Sequence, residues 1–492
     1  MLSNTLRDWN SPESRRGTRE LLVLATPMIG VTLSRMAMGF IDFVMVAQLG
    51  AAAQAAISPA TLLVFSLGCL GMGVAQSVQT FVSQSDGRGE PHRCGGYAWQ
   101  TLYIAAASAL VAAPMIATVD WWFPLFAGWQ QHPPEMVRQQ VDYLRIGLWM
   151  IVPATVCMGL ENFFNGIRKP AISFVAVLAS LIANGLGNYA LIYGNWGFPR
   201  MEMGGAALAT VLAWFVRLAI LWVALLAPQL DARYRTRSSW RPDRERLVQM
   251  LKVGGPVAVQ WLVDIGAWVV FLQVMVPRFG TVAAAASATA IQFMHLSFMP
   301  ALGIGQALTS QVGFAVGAGE PDRAIWRLYI ARRVIVGYMV LMGLVFVLAG
   351  EPLAALLTFE PDPVVRQSVI TEAGRVLIWV ALFQLSDAIC IVYSFGLRGA
   401  GDTRAPAALF AWCCWGIFVM GGMLVTWFAP WAYYHGPWSM CTIYIIVLGV
   451  LLWRRFHSEA WRSIRLFADA PASKVEATPI EIREPERPVA AG

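Results

Sequence analysis

Long apolar stretches recur along the chain and limit its fold more than any other feature. Residues 21–48, 97–119 and 406–427 are examples, and each exceeds the roughly 20 residues with which a helix crosses a bilayer. Only 13% of residues are charged, against about 25% in soluble domains. Twelve such stretches lie between clusters of Gly, Pro and charged residues, centred near residues 34, 69, 108, 152, 182, 216, 263, 298, 340, 383, 416 and 442. The sequence therefore predicts an all-α polytopic membrane protein with twelve transmembrane helices.

Basic residues separate by side of this predicted membrane. They follow the even-numbered stretches, whereas loops after odd-numbered stretches are short or acidic. The positive-inside rule then places both termini on the cytoplasmic side of a bacterial inner membrane. This distribution also accounts for the net charge of +7 without nucleic-acid binding. The first apolar stretch is too long for a signal peptide and lacks a cleavage site, so we expect residues 1–20 to remain cytoplasmic.

An internal repeat divides the chain into two six-helix halves. Three groups of residues recur at a constant offset of 230 residues (319 − 89): Gly87, Gly89, Glu90 and Pro91 as Gly317, Gly319, Glu320 and Pro321; Gly73 and Gln76 as Gly303 and Gln306; Gly166 and Arg168 as Gly396 and Arg398. An even number of helices gives both copies one orientation, with a pseudo-twofold axis along the membrane normal and substrate sites between the halves. We expect an N-lobe over 21–230, a basic cytoplasmic linker over 231–248, a C-lobe over 249–456 and a largely disordered cytoplasmic tail over 457–492.

The sequence offers no sign of enzyme chemistry or of a bound cofactor. Its seven cysteines lie mostly in apolar stretches and form no CxxC pair, which disfavours a disulfide framework or a zinc site. HExxH and GxSxG motifs are also absent from the sequence, so a membrane-embedded hydrolase is not indicated.

Three acids lie inside predicted membrane helices: Asp42, Asp264 and Asp387. A carboxylate at mid-membrane costs about 2.5–3.5 kcal/mol on insertion scales, so it usually faces a cavity, a partner or a transported ion. The alternative is a static buried pair, for example between Asp42 and Arg35, seven residues earlier on the same helix. A related hypothesis is that Arg35 stabilises the charged form of Asp42 rather than binding substrate.

Polar side chains near these acids suggest two sites. Asn184 and Asn188 project from one helix face, and Thr210 adds a hydroxyl. Such oxygens can replace the water of Na⁺, and a carboxylate can equally take a proton; the alternative is simple bonding between helices.

In the second half, Gln260 precedes Asp264 by four residues and Phe383 precedes Asp387 by four. An aromatic ring beside a carboxylate suits an organic cation, although such a Phe can also be packing. Pro27 and Pro256 interrupt equivalent helices, as moving hinges or as static kinks.

At these residues the sequence resembles the multidrug and toxic compound extrusion (MATE) family, in its NorM-like branch. The matching stretches are 38–45 (MGFIDFVM), Gly255-Pro256 with Asp264, 184–194, 204–210 (GGAALAT), and Asp387 with 396–404 (GLRGAGDTR). The resemblance implies two lobes in a V that alternate access to the two sides of the membrane.

The resemblance also carries functional residues onto this chain. It implies an N-lobe cation site at Asp42, Asn184, Asn188 and Thr210, and C-lobe acids at Asp264 and Asp387 beside Phe383. Three departures are visible: Asp264 replaces a Glu of relatives, Arg35 replaces a neutral residue, and the eighth helix lacks a His-Gln pair.

We therefore predict a monomeric secondary active exporter of cationic or amphiphilic organic compounds, exchanging them for Na⁺ or protons, with membrane lipids as its other partners. Carboxylate and amide oxygens serve either coupling ion, so the sequence leaves the ion open. The alternative is a flippase of lipid-linked oligosaccharide or peptidoglycan precursors from the same superfamily, which would favour a strongly cationic cavity. A channel or receptor accounts less well for acids in both halves.

Overall fold

The computed structural model describes residues 11–129, 133–358 and 360–467. Within these ranges, twelve helices are long and apolar enough to cross a membrane, which confirms the predicted fold class. They are α1 (Pro12–Ala47), α2 (Ala52–Gly87), α3 (Pro91–Ala117), α4 (Pro134–Gly166), α5 (Pro170–Tyr193), α6 (Glu202–Leu225), α7 (Arg244–Phe279), α8 (Thr281–Gly317), α9 (Pro321–Leu357), α10 (Pro363–Ala400), α11 (Arg404–Phe428) and α12 (His435–His457). Two shorter helices, Val119–Trp129 and Pro228–Tyr234, lie between them.

The ends of the chain differ in detail from the sequence expectation. Helix α1 begins at Pro12, after an N-cap in which the Ser11 hydroxyl accepts a hydrogen bond from the Ser14 amide. Arg15, Arg16 and Arg19, within the segment 1–20, therefore lie in the first turns of α1. At the other end, Trp461 and Phe467 are buried, and the rest of the predicted tail, 468–492, lies outside the described residues.

The internal repeat corresponds to two tight connections with the same backbone geometry. Gly89 and Gly319 both have φ of +73°, a left-handed conformation that favours glycine. The amides of Glu90 and Glu320 donate to the carbonyls five residues earlier, at 3.0 and 2.9 Å. The loops α2–α3 and α8–α9 are thus copies of one helix-terminating motif.

The structure has two lobes, α1–α6 and α7–α12. The first half of the first helix of each lobe, α1 or α7, packs against the other lobe. Leu21 and Met28 of α1 belong to the apolar core of the second lobe, whereas Met250 and Val253 of α7 belong to a core of the first. Each leading helix therefore begins against the opposite lobe and continues in its own, as expected for copies related by a twofold axis.

Repeated glycines allow the helices to meet at this crossing. A Cβ atom at Gly73 would lie 2.5 Å from Ala258 Cα on α7, and one at Gly303 would lie 2.7 Å from the Ile29 amide nitrogen on α1. Real Cβ atoms essentially never come so close to backbone atoms. These glycines recur because the same kind of helix contact is made twice, once between α2 and α7 and once between α8 and α1.

Hydrogen bonds join the lobes at one end of the bundle. We call this the basic end, since it carries the loops after the even-numbered helices. The Gln79 amide donates to the Gln306 carbonyl at 2.7 Å, the Gln84 amide to the Gly399 carbonyl at 2.9 Å, and the Arg398 guanidinium to Gln76 at 2.7 Å. Near the helix midpoints, the Thr32 hydroxyl of α1 also donates to the Met299 carbonyl of α8 at 3.0 Å. The lobes are closed at the basic end.

Adjacent glycines in α7 provide a direct test of this junction. A Cβ at Gly254 would lie 2.5 Å from the Val74 carbonyl oxygen, whereas one at Gly255 meets nothing within 4 Å. Replacing either glycine by Ala stabilises the helix by up to about 1 kcal/mol through its higher helix propensity. We expect Gly254→Ala to lower the melting temperature of the purified protein and Gly255→Ala to leave it unchanged or raise it. Equal shifts for the two variants would contradict the close contact.

Candidate functional site

The first candidate site joins three helices of the N-lobe. Asn188 on α5 donates to one carboxylate oxygen of Asp42 on α1 at 2.6 Å, and the Thr210 hydroxyl on α6 lies 3.3 Å from the other. Asn184 donates to Thr210 at 3.3 Å and accepts from Asn188 at 3.4 Å. All four residues that the sequence singled out for a cation site are thus in one cluster, which we call the N-lobe cluster.

Small residues bring these helices close enough for the cluster to form. A Cβ at Gly205 of α6 would lie 2.5 Å from the Leu191 carbonyl oxygen of α5, and one at Gly187 would lie 3.0 Å from Ala209 Cβ. Helices that pack through small residues approach closely, so short side chains can bond across the interface. The Gly-rich stretch at the start of α6 therefore positions Thr210 against the two amides.

The N-lobe cluster retains unused acceptor capacity. Asn184 and Asn188 are fully buried, yet the Asn188 amide oxygen has no hydrogen-bond partner. Buried polar atoms without partners are rare and costly. Together with the Asp42 carboxylate, this oxygen makes a donor set that suits a small hard cation, while Asp42 alone suffices for a proton.

The second candidate site lies in the C-lobe, where Asp264 of α7 and Asp387 of α10 are near enough to interact electrostatically. Trp268, one turn along α7, places its indole beside Asp264. Phe383 packs near Tyr444 with ring centroids 6.4 Å apart, and Phe418 stacks on the same tyrosine at 5.1 Å. Two acids beside aromatic rings form what we call the C-lobe cluster.

Gln260 does not join this cluster through a hydrogen bond, since it makes none within the described ranges. It remains one helical turn from Asp264, on the half of α7 nearer the basic end. The neighbouring glutamine of α10, Gln384, instead donates to Ser297 of α8. The predicted role of Gln260 in substrate binding therefore stays a prediction without direct geometric support.

One part of the C-lobe cluster was not foreseen from the sequence. Residues Cys413–Gly421 of α11 form a π-helix, a rare conformation that is frequent at functional sites. This segment carries Phe418, and the nearby Cys414 lies close to Asp264. The sequence does not mark this π-helix, because its residues form an ordinary apolar run.

A third polar cluster lies in the N-lobe, between the N-lobe cluster and the basic end. Glu161 of α4 pairs with Arg35 of α1 and with Arg217 of α6, the latter at 2.5 Å. Arg217 is 1% exposed and its guanidinium lies over the Trp214 ring, 4.7 Å from the centroid. The hypothesis that Arg35 stabilises Asp42 is therefore wrong, because its guanidinium turns to an acid on another helix.

The proline positions are less distinctive than the sequence suggested. Pro27 and Pro256 each lie within a single continuous helix, α1 and α7, next to the crossing of the lobes. A proline removes one helical hydrogen bond without necessarily breaking a membrane helix. Their predicted role as hinges stays a prediction.

Two six-helix lobes closed at one end, each with buried charge within its helices, define a multi-pass membrane transporter. Residues 27–190 and 267–424 match the family model MatE. The chain belongs to this MATE family, as its sequence resemblance predicted.

Relatives span nearly the whole chain. The probable multidrug resistance protein NorM of Rhizobium meliloti (strain 1021) is 30% identical over 477 residues, covering 92% of this chain and 95% of the relative. The multidrug resistance protein PmpM of Pseudomonas aeruginosa is 29% identical over 459 residues, covering 92% and 93%.

Solved structures share the fold at lower identity. A multidrug resistance MATE family transporter of the MOP superfamily, in an outward-facing conformation, superposes with a TM-score of 0.81 at 19% identity, covering 91% of this chain and 97% of the other. The Vibrio cholerae MATE transporter VcmN in its bent form gives 0.78 at 19% identity, covering 92% and 98%.

Proposed function

We propose that this protein is a secondary active multidrug exporter that exchanges cationic or amphiphilic organic compounds for Na⁺ or protons by alternating access. The names of its relatives, NorM and PmpM, refer to multidrug resistance. The N-lobe cluster is the observation that supports coupling to an ion. There, the buried amide oxygen of Asn188 has no hydrogen-bond partner, and the Asn188 side chain contacts the Asp42 carboxylate. A coupling ion or proton binds there.

The C-lobe cluster supplies the features of a site for an organic cation. Asp264 and Asp387 offer negative charge, and the aromatic rings around Tyr444 offer a face for cation–π attraction. A bound cation also relieves the repulsion between two neighbouring carboxylates. We assign Phe383 to the wall of this site and leave Gln260 at its edge.

The proposed orientation places the basic end on the cytoplasmic side of a bacterial inner membrane, with both termini on that side. The closed junction at Gln79, Gln84 and Arg398 then separates the two clusters from the cytoplasm. Transport requires this junction to open while the opposite ends of the lobes approach. A monomer contains both lobes and both clusters, so the cycle needs no second copy.

Efflux under controlled gradients tests the proposal. We expect purified protein in liposomes to move a fluorescent organic cation only when a Na⁺ or a proton gradient is imposed, and collapse of the coupling gradient to stop transport. Ionophores that collapse each gradient separately identify the ion. Gradient-independent movement, or none under either gradient, would contradict antiport, and movement of a lipid-linked saccharide instead would favour the flippase alternative.

A further inference from the structure

A groove of about 530 Å³ lies on the outside of the bundle, between the first halves of α1 and α9. Its α1 wall includes Arg15, Arg19 and Leu22, and its α9 wall Arg333 and Val334. It is remote from the N-lobe cluster, because Arg19 and Asp42 are 23 residues apart (42 − 19) on one helix. None of the residues assigned to the N-lobe or C-lobe cluster lines it.

The groove faces the lipid side of the helix rather than the protein core. Leu21 and Met28 of α1 are buried against the second lobe. Leu22 and Val23, on the opposite side, are 41% and 63% exposed. Exposed apolar side chains on a spanning helix contact acyl chains, so the groove opens toward the bilayer.

Polarity changes along the groove as it does along a phospholipid. Arg15 and Arg19 lie one turn apart, nearer the start of α1. Leu22 and Val23 follow one turn deeper, with Thr26 beyond them. A ligand that fills the groove must therefore be polar and anionic at one end and apolar at the other.

Arg15 and Arg19 of α1 are not neutralised by the described residues. Glu20, next to Arg19 on the helix, pairs instead with Arg16 at 3.2 Å and with Arg327 at 2.5 Å, and Glu13, two residues before Arg15, makes no ion pair with it in the described part of the chain. No ion pair to Arg15 or Arg19 occurs within residues 11–129, 133–358 and 360–467. Arg333, across the groove, donates to the Ser14 hydroxyl at 3.5 Å. Positive charge thus borders an apolar surface at the level where α1 leaves the membrane.

We propose that this groove binds an anionic phospholipid. Its phosphate contacts Arg15, Arg19 and Arg333, and an acyl chain lies along Leu22, Val23 and Val334. Arginine presents a planar fork that suits phosphate, and basic pockets between membrane helices at one leaflet are typical sites of anionic head groups.

The groove also spans the two lobes, since α1 belongs to the first and α9 to the second. Beneath it, a Cβ at Gly17 would meet Ile330 and Trp326 of α9, so the helices touch directly there. A lipid held by arginines of both helices favours the conformation in which they are adjacent, through differential affinity. The lipid therefore stabilises the closed basic end.

Lipid titration of the purified full-length protein tests the proposal. Native mass spectrometry measures binding of phosphatidylglycerol and of phosphatidylcholine with identical acyl chains. We expect phosphatidylglycerol to bind at least tenfold more tightly to the wild type, and the Arg15→Gln/Arg19→Gln variant to lose about tenfold in that affinity without change toward phosphatidylcholine. Arg15→Lys/Arg19→Lys should retain most of the binding.

The matched control is Arg241→Gln/Arg244→Gln, which removes the same charge from exposed positions outside the groove. We expect it to keep wild-type phosphatidylglycerol affinity. An equal loss in the control, or none in the Arg15/Arg19 variant, would overturn the site. Complete displacement of the lipid by millimolar inorganic phosphate would also overturn it, since the groove would then bind a free anion and not a lipid.

Discussion

Replacing Glu161 by Gln is expected to lower the free energy of unfolding by about 3–5 kcal/mol, because it leaves two arginines without their shared counter-ion. Arg217 is almost fully buried, and its partner Glu161 is 2% exposed. A guanidinium cannot lose its proton to escape this cost under physiological conditions. Denaturant titration of the purified protein in detergent measures the change.

Glu320 supplies the matched control for this effect. Its ion pair with Arg323 joins side chains that are 42% and 40% exposed, so Glu320→Gln should cost less than about 1 kcal/mol. A variant that replaces all three members, Arg35→Met with Glu161→Leu and Arg217→Met, should recover much of the stability lost in Glu161→Gln. A loss below 1 kcal/mol in Glu161→Gln would show that the two guanidiniums are solvated or paired elsewhere.

The position of the Arg35–Glu161–Arg217 cluster gives it a structural role distinct from ion coupling. It joins α1, α4 and α6 within the N-lobe, on the same helix as Asp42 but two turns nearer the basic end. We therefore expect it to hold the second half of α1, which contains Arg35, in its own lobe. Asp42 keeps Asn188 and Thr210 as its partners, without charge compensation from Arg35.

Relations within one helix were predictable from the sequence. Asn184 and Asn188 share a face because helical geometry fixes their spacing, and twelve spans follow from bilayer thickness. The glycine repeat was also visible, and the structure adds its physical cause, which is the double crossing at Gly73 and Gly303. The N-lobe cluster was identified in full because its members belong to short motifs shared with the MATE family.

Relations between helices were mostly not predictable, since they depend on the rotation and tilt of each helix. Arg35 has Asp42 two turns along its own helix, but its partner is Glu161, 126 residues away in the chain. Similarly, nothing in the sequence places Tyr444 of α12 beside Phe383 of α10, because this contact joins separate spans. The π-helix of α11 was missed for another reason, since it depends on packing and not on local composition.

Asp42→Asn is expected to reduce ion-driven efflux more than tenfold while changing drug affinity without the ion less than twofold. The substitution keeps the shape of the side chain, and an amide oxygen at this position can still accept the hydrogen bond from Asn188. It removes the negative charge that attracts a cation or carries a proton. Because drug contacts are assigned to the other lobe, the binding of drug alone should persist.

The same variant tests whether the two clusters communicate, which efflux alone cannot reveal. In the wild type, a coupling ion that prefers one arrangement of the lobes tenfold changes their balance by about 1.4 kcal/mol, and reciprocity requires the drug to change ion affinity by the same factor. Drug affinity measured with and without the ion should therefore differ in the wild type and become equal in Asp42→Asn. Asp264→Asn serves as the opposite control, because it should weaken drug binding under both conditions while the N-lobe cluster remains intact. If the ion still alters drug affinity in Asp42→Asn, the ion acts at the C-lobe acids, and drug and ion compete for Asp264 and Asp387 directly without any need for movement between the lobes to link them.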